Sequence, residues 1–285
     1  MDPDPDPEAE QAASKILRTT FFTIVCTACN SFHTETSPAV ATIQFSLPDS
    51  TPAKTVAAVP AKKKKKKTIY LTFDDGPNKG TRKVMHIAEE EQISISMFLV
   101  GEHVYGCAEQ NATFDSLVNC ENIELDNHSY SHANNHYQDF YSRPAGTVND
   151  FVRCKDSLGL GNNIIRTPGR NIWRTKNLSS TDVVKSSAAA DSLQAAGFTL
   201  IGWDLEWHFN SSLDLCSTDD EMLRLVDSMF ARDKTKTTGH LVLLAHDQVY
   251  ADANDSITLH GFIRKLKTAD EYNIEVISKY PGIKN

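Results

Sequence analysis

The sequence predicts an α/β domain built from parallel strands, and three observations carry that expectation. Runs of period two alternate along the chain with runs of helical period, the pattern of successive β/α units. Residues that can do chemistry follow the strand-like runs, so the carboxyl ends of the strands would gather them in space. The patterned region, roughly 215 residues from position 68 onward, is long enough for one substantial core.

In order, Ile69, Leu71 and Phe73 alternate with Tyr70 and Thr72, which reads as a strand running into Asp74 and Asp75. Val84, Ile87 and Ala88 then form a helical stripe. Residues 94–100 and 123–126 read as the next two strands, the second delivering the chain to His128. Ile164 and Ile165 lead into Arg166. Residues 188–196 are helix-like, Gly197 closes them, and 198–203 reads as a strand ending at Asp204. Thr218 with Glu221 has the capping-box spacing ahead of Met222, Leu225, Val226, Met229 and Phe230, which recur at helical intervals. Residues 241–245 form a buried strand before His246, Leu259, Phe262, Ile263 and Leu266 mark an amphipathic helix, and 274–277 reads as the last strand.

The first 67 residues read differently. Residues 1–45 comprise an acidic Asp-Pro start that cannot bury a core, then Lys15 and Arg18 ahead of the apolar run Phe21 to Val25. That run is too short to span a bilayer and is shaped like a secretory h-region, so export to the cell envelope or the medium is expected. Cys26-Thr27-Ala28-Cys29-Asn30 resembles a lipoprotein signal that would leave Cys29 as a lipid-carrying N-terminus; a strand of a small N-terminal element is the alternative. Residues 46–67 read as an Ala/Pro-rich linker ending in the lysines Lys62 to Lys67, a solvated run or one attracted to anionic envelope polymers, and 68–285 is the folded domain. A net charge of −8 and the lack of a basic aromatic platform argue against nucleic acid. An exported setting would permit Cys107 to pair with Cys120 and Cys154 with Cys216, without fixing that connectivity.

Five short motifs carry the chemistry: Thr72-Phe73-Asp74-Asp75-Gly76-Pro77, His128-Ser129-Tyr130-Ser131-His132, Arg166-Thr167-Pro168-Gly169, Trp203-Asp204-Leu205-Glu206-Trp207 and Leu244-Ala245-His246. A catalytic divalent metal takes about three protein ligands of the His and carboxylate type and keeps a position open. Asp75, His128 and His132 meet that need, the histidines four apart being able to share one side of a helical turn. Zn²⁺ is the default ion, with Co²⁺ or Ni²⁺ as alternatives. Asp74 is then free to act as general base, oriented by the fork of Arg166. The N–H of Gly169 can face an oxyanion, and His246 can protonate a leaving group, with Asp204 favoured over Glu206 as the carboxylate that orients it.

Each motif alone has an ordinary structural explanation: a turn at Asp-Asp-Gly-Pro, a polar surface stretch at the histidines, a strand exit at Arg166, a satisfied core histidine at His246. Their order and complementary chemistry favour one site. Taken together, they resemble the NodB-type polysaccharide deacetylases, carbohydrate esterase family 4, over roughly residues 68 to 283. The resemblance implies a distorted, incomplete (β/α)7-type barrel. It also implies Asp74 as base, Asp75, His128 and His132 as metal ligands, Arg166 against the base and His246 at the leaving group. Two departures stand out: Arg-Thr-Pro-Gly-Arg-Asn lacks the aromatic residue that often follows the proline, and Glu206 stands where an Asp usually precedes the Trp.

The expected activity is metal-dependent removal of acetyl groups from an N-acetylated polysaccharide, peptidoglycan or a chitin-like chain, with Tyr130, Trp173 and Trp207 as candidate sugar-stacking aromatics or, equally, as rim or core packing. The rivals are an O-acetyl xylan esterase using the same residues and a non-catalytic envelope carbohydrate-binding protein.

Overall fold

A computed structural model describes residues 66–283. The signal-like segment, Cys29 and the linker as far as Lys65 lie outside the described residues. The last two lysines of the run, Lys66 and Lys67, lie within the described residues. Lys66 pairs with Asp270, and Lys67 opens the first strand with its ammonium 5.0 Å from the centre of the Phe230 ring.

The sheet follows the path β6 (Ser179–Thr181), β5 (Ile172–Arg174), β7 (Thr199–Leu200), β4 (Ile164–Ile165), β3 (Ile123–Asn127), β2 (Ile95–Leu99), β1 (Lys67–Gly76), β9 (His240–His246), β8 (Leu205–Glu206), with β10 (Tyr272–Ile274) pairing beside β1. Its centre is β1 (Lys67–Gly76), flanked in parallel by β2 (Ile95–Leu99) and β9 (His240–His246). Beyond β2 lie β3 (Ile123–Asn127), β4 (Ile164–Ile165) and β7 (Thr199–Leu200), all parallel. The path is open between β6 (Ser179–Thr181) at one end and β8 (Leu205–Glu206) at the other, so the barrel is incomplete, as expected.

Both faces of the central strands are buried. Ile69, Leu71 and Phe73 of β1 join Leu241, Leu243 and Ala245 of β9 in one core, which also holds Val84 and Ile87 of α1 (Thr81–Glu90). Tyr70 and Val242 point the other way and join Phe98, Ile164 and Ile201. The period-two alternation thus divides an unbroken apolar run between two cores, which is why buried parallel strands lack polar interruptions.

The structure differs from expectation in several places. The strand expected at 198–203 contains only Thr199–Leu200 as β7, and the one expected at 274–277 is β10, Tyr272–Ile274. β5 (Ile172–Arg174) runs antiparallel to both β6 and β7, a hairpin hidden in a stretch with little apolar alternation. The helices α2 (Gly101–Val104), α3 (Ala108–Val118), α4 (Tyr137–Tyr141) and α5 (Pro144–Leu158) were not anticipated; α3 buries only Thr113 and Leu117 and so shows no strong stripe. The expected helices are α6 (Ser187–Ala195), α7 (Asp219–Ala231) and α8 (Ala253–Ala269). Neither permitted cysteine pair forms: the four cysteines among the described residues are free, and Cys154 is buried whereas Cys216 is exposed. No helix among the described residues is long and apolar enough to cross a membrane.

Candidate active site

All five motifs lie at or just beyond carboxyl ends of strands. Asp74 and Asp75 follow each other in β1, yet a register shift against β2 between Asp74 and Gly76 marks a bulge, and Asp75 has φ +73°. The bulge swings Asp75 out of the ladder. Asp74 remains in register, and its Oδ1 accepts a hydrogen bond from Arg166 Nη1 at 2.7 Å. Arg166 is wholly buried; it also donates to Thr72 Oγ1 at 2.8 Å and to the carbonyls of Ile201 at 3.2 Å and Gly202 at 3.0 Å. Such a complete set of partners compensates for burying a guanidinium and fixes its direction toward Asp74.

His128 stands one residue past β3. Its Nδ1 meets the Arg166 carbonyl oxygen at 2.9 Å, so Nδ1 carries the hydrogen and Nε2 of the neutral ring is left with a lone pair. That Nε2 lies 3.4 Å from Asp75 Oδ1, and His132 Nε2 lies 3.1 Å from the same oxygen. Asp75 Oδ1 is buried and has no hydrogen-bond partner. A buried carboxylate oxygen facing two imidazole lone pairs is stable only with positive charge between them. The ligand atoms of Asp75, His128 and His132 all lie within 4.8 Å of one another, so the donor set fits a divalent metal. Electrostatics agree. Burial alone would lower the His128 pKa, but the Asp74 and Asp75 charges raise it overall; burial would raise Asp75, yet His128 and His132 hold it well below the usual range.

The two histidines do not share a helical turn, as the spacing suggested. They sit on a loop containing left-handed residues, Ser129 at φ +69° and His132 at φ +48°. Asp150 Oδ2 on α5 accepts from the N–H groups of Tyr130 at 2.9 Å and Ser131 at 3.1 Å, and Ser129 Oγ accepts from His132 N at 3.0 Å. Asp150 was missed; an acid on a mostly exposed helix gives no sequence signal. His103 was also missed, and its Nδ1–H donates to the Asp75 carbonyl at 2.6 Å.

Gly169 is exposed and has φ +62°; a Cβ there would come within 3.1 Å of the Tyr137 ring. The same ring packs edge-on against His132 at 5.9 Å, which puts the Gly169 turn beside the histidine loop.

His246 closes β9, in register with Asp74. Its Nδ1 is buried without a hydrogen-bond partner, and Phe209 packs edge-on against the ring at 5.2 Å. The favoured partner, Asp204, is corrected here: its oxygens accept from the backbone N–H groups of Lys236 at 2.6 Å and Val242 at 2.8 Å, so it ties backbone segments together. Burial raises its pKa to about 6. At Glu206 burial pushes the pKa up, but the contact with His208, and behind it the charge of His246, hold it below the usual range.

Trp207, expected at the substrate, and Trp173 take the core alternative. Both are fully buried, Trp207 against Phe262 at 5.1 Å with its Nε1 bonded to the Ser217 carbonyl, so neither offers a face to a sugar. Tyr130 is clamped beneath the Arg153 guanidinium, 3.4 Å from the ring centre.

Asp247, another residue missed in the sequence, is buried and accepts hydrogen bonds from the side chains of Asn78 and Thr81. It thereby fastens the loop after Asp75 to the residue after His246. Burial is the main cause of its pKa rising to about 7.

The sequence model described as polysaccharide deacetylase matches residues 61–175, which include the Asp, His and Arg motifs. Over those residues the chain is similar to that family. Among curated relatives, the peptidoglycan-N-acetylglucosamine deacetylase of Bacillus cereus is 28% identical over 153 residues, 52% of this chain and 50% of the relative. The chitin disaccharide deacetylase of Vibrio alginolyticus is 33% identical over 73 residues, 24% of this chain and 17% of the relative. The chain therefore spans half or less of the length of these two curated relatives. Among solved structures, the catalytic domain of peptidoglycan N-acetylglucosamine deacetylase from Eubacterium rectale matches with TM-score 0.58 at 19% identity, covering 80% of this chain and 99% of that one. At that identity the likeness establishes the fold alone.

Proposed function

We propose that this protein hydrolyses acetamido groups on an N-acetylated polysaccharide, peptidoglycan or a chitin-like chain, outside the cytoplasm. The observation that carries the reading is the orphaned Asp75 Oδ1 between two imidazole nitrogens, beside a carboxylate held by a buried arginine. A divalent ion held by Asp75, His128 and His132, Zn²⁺ by default, would supply Lewis acidity, polarising the acetyl carbonyl and acidifying water. Asp74, kept in place by Arg166, takes the proton of the attacking water. The Gly169 N–H donates to the developing oxyanion, and His246 protonates the departing sugar nitrogen.

Acetate release from chitin oligosaccharides, peptidoglycan and acetylxylan, each with and without chelator and re-added metal, tests the proposal. Chelator-sensitive release from an amino-sugar substrate is expected; release from acetylxylan alone would move the reading to an ester hydrolase, and none from any would overturn it. His246→Ala should depress amide turnover more than turnover of an activated ester, because an amine departs only when protonated. Equal losses on both would remove His246 from the acid role.

A further inference from the structure

The segment 100–103, which leads from β2 into α2, touches both halves of the Asp75, His128 and His132 triad. We propose that His103 is a positioning residue for metal binding: its imidazole holds the β1 bulge in the form that turns the Asp75 carboxylate toward His128 and His132, so the donor set is assembled before an ion arrives. The inference rests on the reading of Asp75, His128 and His132 as metal ligands.

On one side the segment holds the bulge. Asp75 has φ +73°, a left-handed conformation that a residue with a side chain seldom adopts unless its neighbours fix it. A bulge also takes its extra residue out of the strand ladder, so the polar groups of that residue need other partners. The Asp75 carbonyl accepts from His103 Nδ1–H at 2.6 Å, and the next carbonyl, that of Gly76, accepts from Val100 N at 2.9 Å. The peptide that follows the Asp75 Cα is thereby kept from rotating, and with it the backbone conformation that aims the side chain.

On the other side the same segment holds the histidine loop. Gly101 N donates to the Ser129 carbonyl at 3.1 Å and Glu102 N to the Tyr130 carbonyl at 2.8 Å, both between the two histidines, while His128 N donates to the Leu99 carbonyl at 2.9 Å. A Cβ at Gly101 would come within 2.4 Å of the Tyr130 ring, so glycine is what lets α2 approach the loop this closely. The histidine loop is therefore gripped by backbone groups, which a side-chain substitution leaves in place. The Asp75 carbonyl is gripped by a side chain, so substitution at position 103 isolates its contribution. The ligand atoms that converge are those of Asp75, His128 and His132, and His103 spends its Nδ1 on the carbonyl, so it acts through Asp75.

The test is Zn²⁺ binding by the metal-free full chain, read by titration calorimetry for the wild type, His103→Phe and His103→Asn, with urea midpoints of the metal-free chains in parallel. Phenylalanine keeps a ring and loses the donor, whereas the asparagine amide nitrogen stands where Nδ1 stood and can still donate. The wild type and His103→Asn should bind with similar Kd, and His103→Phe should bind about 10–100-fold more weakly, the effect expected of removing a hydrogen bond behind a ligand. His103→Ala should follow His103→Phe, and it decides the matter if the larger ring does not fold. Unchanged Kd in both, while the wild type binds, would overturn the role of His103 and leave the metal site standing, even if the urea midpoint fell, because a merely structural contact moves stability alone. Equal weakening in His103→Asn would place the effect on the imidazole itself and overturn the hydrogen-bond role. No binding by the wild type would overturn the positioning role and the metal reading together.

Discussion

Asp74 and His128 are about equally buried and only 3.6 Å apart, yet the geometry gives them different work. Asp74 is committed to Arg166, whereas His128 has its Nδ1 committed to a carbonyl and its Nε2 aimed at Asp75. Asp74→Asn should therefore reduce turnover by roughly 10²–10⁴-fold with metal content unchanged, while His128→Ala should lose the metal itself, both read by turnover and metal analysis. An empty site in Asp74→Asn would merge the two roles. Asp247 gives a separate prediction through pH. Its folded pKa of about 7 lies above the unfolded value near 3.9. The folded state thus binds this proton more tightly, so the contribution is fully present below about pH 4 and is lost as pH rises toward about 7. Asp247→Asn should flatten that part of the stability–pH curve in urea titrations; an unchanged slope would show that Asp247 is not its source.

At the scale of elements, positions are set by caps and bulges as much as by apolar pattern. Thr218 Oγ1 accepts from Glu221 N at 3.3 Å and Glu221 Oε2 accepts from Thr218 N at 2.9 Å, closing the capping box at the start of α7. Thr218→Ala should cost about 1 kcal/mol, seen as a lower urea midpoint with unchanged slope. An unaltered midpoint would mean that packing of Met222 and Val226 alone holds the helix. This element was legible because a cap and a 3.6-residue stripe are both local. The loop carrying His128 and His132 was not, since its left-handed residues are held by Asp150 on α5, remote in sequence. The same limit applies to the hairpin of β5 and β6, whose pairing depends on partners that no local period reveals.

Across the whole molecule, the triad joins the bulge of β1 to the loop beyond β3, so a bound ion would bridge two parts of the sheet. Metal at about 100 times its Kd should stabilise the fold by about 2.7 kcal/mol, read calorimetrically as a rise in Tm that chelator reverses. Insensitivity of Tm to metal and chelator would argue against the triad as a metal site. The sequence by itself determined the α/β class, the strands ending at Asp74, His128, Arg166 and His246, and which residue types could supply ligands, base and acid, because strand period and residue chemistry are local properties. It could not tell that Asp204 would accept from the backbone N–H groups of Lys236 and Val242, nor recognise Trp207 as core, because those outcomes depend on which backbone N–H groups and side chains arrive from elsewhere. Only the tertiary structure decided them: hydrogen-bond capacity and burial are shared among residues far apart in the chain, and each group is assigned only when its neighbours are in place.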